Sequence, residues 1–145
     1  MPDTPRFGVR FKDRPADEPP SGSEPGEDLR LERVPIYHRA VELAACAHTV
    51  IGLAETERFF LRDQLDRKSS LIPQLIAQGL AIADMAARRE LYQQARRALT
   101  DCATIFDLMI ERGSVRRDVL ERARTLALAL LEELLPLTAP PPKVW

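Results

Sequence analysis

From about position 35 to about 135, apolar residues return every three to four positions, and many return every seven, the spacing of one helix face. A first helix is expected from about Pro35, a favoured first-turn residue, to about Ala54. Ile36, Leu43 and Val50 form one of its rows, Tyr37, Ala44 and Ile51 a second, and Ala40, Ala47 and Ala54 a third. A second helix is expected from near Glu57 to about Met85, with Leu61, Leu65, Ile72, Ile76 and Ala83 along one face. The third, about Ala86 to Arg112, has the cleanest period: Tyr92, Leu99 and Phe106, then Ala95, Cys102 and Met109, beside Leu91, Ala98 and Ile105. Gly113 is placed to end it, Ser114 to cap a fourth helix from about Val115 to Leu135, and Pro136 to stop that one. Such rows on helices joined by short connections predict an all-α fold, an antiparallel up-down four-helix bundle over residues 34–137.

Two stretches are more apolar than a lone bundle needs. "AVELAACAHTVIGLA" and "LALALLEELL" carry apolar side chains over more than the ~100° stripe a core-facing helix uses. Val41, Cys46 and Leu53 lie off the main stripe of the first helix, and Leu128, Ala129 and Leu135 off that of the fourth. Self-association through these two helices, as a homo-oligomer, is the expectation.

Residues 1–33 lack any hydrophobic period and hold many prolines and charges of both signs, so a disordered Pro-rich tail is expected. Within it "RFGVRFKDR" alternates Phe7, Val9 and Phe11 with basic residues, a pattern suited either to an inert tail or to strand addition on a partner. Residues 138–145 form a second Pro-rich tail; its Trp145 either anchors in a partner's pocket or packs back on its own bundle.

Composition narrows the chemistry. The 145 residues carry a net charge of −1, so no overall field draws polyanions. Arginine dominates the 21 basic residues, either for phosphate and carboxylate recognition or through GC-rich coding. The two cysteines, Cys46 and Cys102, form no CxxC and sit on apolar stripes, which suggests packing thiols in a reducing cytoplasm. No apolar run approaches the ~20 residues of a membrane span. His38 and Glu42 lie one turn apart, but no Glu-x-x-His motif accompanies them, so neither a metal site nor a cofactor is expected. Ser69 and Ser70 have no recognisable base and no glycine-rich phosphate loop is present, so no catalytic residues, small-molecule substrate or enzymatic activity are expected.

The basic residues remain as candidate contacts to nucleic acid or a partner: Arg58, Arg62, Arg67 and Lys68 on the second helix, Arg88, Arg89, Arg96 and Arg97 on the third, and Arg112, Arg116 and Arg117 around the last turn. In an up-down bundle the start of the second helix and the third-to-fourth turn share one end. Glu55, Glu57, Asp63, Asp66, Glu111, Asp118 and Glu121 share it too, so salt-bridge laces compete with a basic patch.

"ERFFLRDQLDRKSSLIPQLIAQG" resembles the second-helix signature of a bacterial four-helix-bundle family. That family includes ribosomal RNA intervening-sequence proteins and the accessory variability determinants of diversity-generating retroelements. The resemblance rests on Glu57, Arg58, Leu61, Gln64, Leu65, Arg67, Ile72, Pro73, Ile76, Ala77 and Gly79, with Arg39, Ala40 and Leu43 in "YHRAVELA" and Ala95 and Asp101 in "LYQQARRALTDC". It departs at Leu75 and Gln78, where the family carries polar and acidic residues. It implies a ring, with a pentamer expected, that serves as a non-enzymatic adaptor for a reverse transcriptase and structured RNA. The rival expectation is a protein-only oligomeric scaffold whose tails dock a protein. Pro73, with no N–H and a ring that crowds the preceding turn, is expected to kink the second helix or else to break it.

Overall fold

The computed structural model describes Leu31 and residues 34–140; the expectations for residues 1–30, for positions 32 and 33, and for Trp145 lie outside the described residues. Four helices follow one another: α1 (Pro35–Leu53), α2 (Phe59–Ala81), α3 (Met85–Arg112) and α4 (Arg117–Thr138). Among the described residues there is no strand, and no helix is long and apolar enough to cross a membrane. α1 and α3 each pack against both α2 and α4.

The core follows the seven-residue rows. Ala40, Leu43, Ala47 and Val50 of α1 are fully buried, as are Leu65, Ile72 and Ile76 of α2. Tyr92, Ala95, Leu99, Cys102, Phe106 and Met109 of α3 are buried with them, and α4 adds Leu120, Ala123, Ala127, Leu130 and Leu134. Leu75, where the family pattern is polar, is also in this core. Phe106 is its largest fully buried side chain, and many contributors are alanines. Helices with such small side chains on their facing surfaces can pack at close range. One such close approach is at Gly79, where an added Cβ would lie 2.6 Å from Cε1 of Tyr92.

Several expected boundaries move, each for a local reason. The second helix ends at Ala81 rather than near Met85, and Ala83 falls in the connection. Asp84 is the cause: its side chain accepts the Ala87 N–H at 2.9 Å and starts α3 at Met85. Arg88 then reaches back, donating to the carbonyls of Gly79 (2.9 Å) and Ile82 (2.6 and 3.0 Å) at the frayed end of α2. Gly113 does close α3, with φ +67° in the left-handed region.

Ser114 does not cap the fourth helix. That helix begins at Arg117, with the acidic Asp118 in its first turn, favourable to the helix dipole. Pro136 does not stop it either. A proline this close to the end removes one bond, to the carbonyl of the exposed Glu132, which water can satisfy. One turn is then held by Thr138, whose hydroxyl donates to Leu135 O (2.9 Å) and whose carbonyl accepts from Gln93 (3.3 Å). At Pro73, α2 continues unbroken; the buried Ser69 hydroxyl donates to Asp66 O at 3.3 Å on the preceding turn.

The Tyr92 contact predicts opposite effects for two glycine substitutions. A Cβ added at Gly52 would meet nothing within 4 Å, so Gly52→Ala is expected to stabilise by about 0.5–1 kcal/mol through helix propensity. Gly79→Ala drives a methyl into an aromatic ring and is expected to destabilise by about 1–3 kcal/mol. Urea unfolding of the two variants checks the opposite signs.

Candidate functional site

The loop before α2 and the end of α3 meet through Glu57 and Arg112. Glu57 is a buried carboxylate with a side chain 1% exposed, and Nε of Arg112 donates to both of its oxygens at 3.1 Å. The Arg58 backbone N–H donates to Oε1 at the same distance. Burial pushes this carboxyl up, but the Arg58 amide and the Arg112 guanidinium hold it below its ordinary value. The buried Ser114 hydroxyl adds its own pull from just outside hydrogen-bonding geometry. Arg112 keeps about half of its side chain in water, so Glu57 is covered by a thin lid rather than sunk in the core. The expected meeting of the α2 start and the α3–α4 turn is thus made by a specific ion pair.

The other candidate cations spread over the molecule. Arg67 pairs with Asp63 (3.1 Å) along α2, and Lys68 crosses to Asp101 on α3 at the same distance. Arg97 faces Glu90 at 3.6 Å, Arg116 holds Asp118 at 3.0 Å, and Arg117 holds Glu121 at 2.8 Å. The Arg116 bonds keep the Asp118 carboxyl below its ordinary value, and Glu121 raises Arg117. Arg88 is a structural clamp on two carbonyls.

Arg58, Arg62, Arg89 and Arg96 have no carboxylate partner among the described residues. Nε of Arg62 is buried without a hydrogen-bond partner, and Arg96 only brushes the Thr138 hydroxyl at 3.5 Å. Arg58 and Arg62 belong to the Glu57 end, whereas Arg88 and Arg89 line the opposite end beside Leu80 and Pro136. The structure therefore divides the candidate cations between two ends and the flank of α3.

The candidate apolar residues also divide. Val41 lines a groove between α1 and α2 with Pro73, Cys46 one between α1 and α4 with Leu126, and Leu128 one between α3 and α4. Val41, Leu53, Leu128 and Leu135 are exposed, and Cys46 is half-buried against the core. Sequence patterning missed Phe59 and Phe60, 71% and 65% exposed, although both open α2 off the stripe of Leu61, Leu65, Ile72 and Ile76 and were readable there as apolar surplus.

The thiols are packing groups. Burial pushes Cys102 up to about 12 and raises Cys46, so neither is a ready thiolate near neutrality. Among the described residues no three His, Cys, Asp or Glu side chains come together in a cluster able to hold a metal ion.

Glu57 gives a pH signature. Because folding lowers its carboxyl below the ordinary 4.5, its stabilisation is complete above that pH and is lost as pH falls through the folded value. Glu57→Gln is expected to cost about 1.5–3 kcal/mol at neutral pH, toward the lower figure because Arg112 stays half in water. Denaturation curves of the two proteins should differ at neutral pH and converge as pH falls through the folded Glu57 value, where acid removes the same interaction.

Comparison with protein-family models, with curated proteins and with solved structures finds no match for this chain.

Proposed function

We propose that this chain is a non-enzymatic accessory protein of the cytoplasm: an antiparallel up-down bundle that assembles into a ring, a pentamer, and acts as an adaptor. The antiparallel arrangement is supported by ion pairs that join opposite ends of neighbouring helices. Arg39 near the start of α1 bonds Glu133 near the end of α4, and Glu57 before α2 bonds Arg112 at the end of α3.

The observation that carries assembly is the exposure of large apolar side chains on unlike faces. Val41 is 40% exposed beside α2, and Leu128 is 43% exposed beside α3. Two different sticky faces suit a heterologous contact, in which one face of a copy meets the other face of the next, and such contacts make a ring when the rotation between copies closes. A reverse transcriptase and structured RNA are the partners the family resemblance implies. Arg58, Arg62, Arg89 and Arg96, with no carboxylate partner among the described residues, are the groups best placed for phosphate. The ion pairing of Arg67, Lys68, Arg97, Arg112, Arg116 and Arg117 favours the rival reading, a protein-only scaffold.

Light scattering is expected to give a mass several times the 16.4 kDa of one chain. Val41→Asp and Leu128→Asp should each return it to a single chain, with thermal stability changed by no more than about 0.5 kcal/mol, as at other exposed sites. A wild-type particle of one chain ends the ring proposal. RNA binding that weakens steeply with salt and falls in an Arg58→Ala/Arg62→Ala variant supports the adaptor; no binding at low salt leaves the scaffold.

A further inference from the structure

The end of the molecule opposite Glu57 holds a cavity of about 500 Å³ with a mainly apolar wall. Ile36 at the start of α1, Leu80 at the end of α2, Met85 and Tyr92 of α3, and Pro136 and Leu137 of α4 all contribute to it. All four helices thus end or begin around one hollow. Met85 is 66% exposed and Leu137 41% exposed at its rim, so the described residues leave it open.

We infer that this cavity is the seat of Trp145 of the same chain. The described chain leaves the fold at the cavity itself: Ala139 belongs to its wall, and Pro140 is the next residue. Five residues follow, "PPKVW", and the six steps from Ala139 to Trp145 span at most about 20 Å. An indole on so short a tether meets the cavity at an effective concentration in the roughly millimolar range, well above that of a second copy at ordinary dilution. Pro140, Pro141 and Pro142 restrict the tether in advance, so less chain freedom is lost on docking.

The wall is chemically suited to an indole. Tyr92 presents an aromatic edge, and Met85 a polarisable thioether of the kind that contacts aromatic rings well. Arg88 is pinned by its bonds to Gly79 and Ile82, so its guanidinium is a fixed wall element, and Arg89 stands beside it as a second cation for an aromatic face. This seat does not require the ring, and of the four arginines offered for phosphate it involves only Arg89.

Trp145 is the single tryptophan of the chain, so its fluorescence reports this one site. In the full chain, emission is expected to be blue-shifted from that of free tryptophan, with acrylamide quenching several-fold weaker. Both properties should persist on dilution. Met85→Asp and Leu137→Asp place a charge on the exposed rim, and an acid in the first turn of α3 is compatible with the helix dipole. Each is expected to shift emission to the red and restore quenching while helical circular dichroism is unchanged. Leu108→Asp, equally exposed but absent from the cavity wall, should leave emission as it was. Emission of a fully hydrated indole overturns the proposal. So does protection indifferent to both rim variants, which would give the cavity to residues 1–30 or to a partner. Protection that disappears on dilution also overturns it, by assigning the contact to a second copy.

Discussion

The approach of Tyr92 to the backbone of Gly79 sets the geometry of one whole end of this protein. A ring that close to a neighbouring helix leaves room for no side chain, so the α2–α3 seam is fixed at this point. Everything nearby depends on it. One turn before Tyr92, Arg88 binds the carbonyls of Gly79 and Ile82 and thereby supplies donors to the last turn of α2. Asp84 caps α3 in the same connection, so each of the two helix ends that share this short link gains a side-chain partner. Tyr92 and Arg88 also line the apolar cavity at this end, with Leu80 next to Gly79.

The opposite end is organised by charge. Glu57 is nearly inaccessible, yet its carboxylate is held in the ionised form by a backbone amide and by Arg112. Such a pair contributes modestly to stability, since removing a carboxylate and a guanidinium from water offsets much of their attraction. Its clearer role is orientation: it joins the first and third interhelical connections and so fixes which helix ends lie together. Phe59, Phe60 and Leu53 stand exposed around the same end.

Arginine richness has a different meaning once partners are known. The sequence offers a long series of basic residues on α2, α3 and the turn to α4; Arg67, Lys68, Arg97, Arg112, Arg116 and Arg117 each face a carboxylate. The 21 basic residues are balanced in number by 22 acidic ones, and these pairs neutralise part of the charge locally. What nucleic-acid affinity the surface can support rests on a small remainder, with Arg58 and Arg62 at one end and Arg89 and Arg96 along α3.

Helix number, helix faces and most of the buried residues were legible from the order of amino acids alone, because helical periodicity and glycine termination are local properties. Leu43, Ile72, Leu99 and Phe106 announce their burial by spacing, and Gly113 its left-handed turn. The exposure of Val41, Leu53, Leu128 and Leu135 was equally readable as surplus on the stripe. The cap of Asp84 on Ala87 was a local signal the hydrophobic period did not register, but only the tertiary structure decided that α4 passes through Pro136 and that Arg88 is a clamp while Arg58 is not. Those outcomes depend on distances between residues remote in sequence: Gly79 to Tyr92, Glu57 to Arg112, Gln93 to Thr138. Periodicity carries no information about such distances, since a helix face repeats identically whichever neighbour it meets.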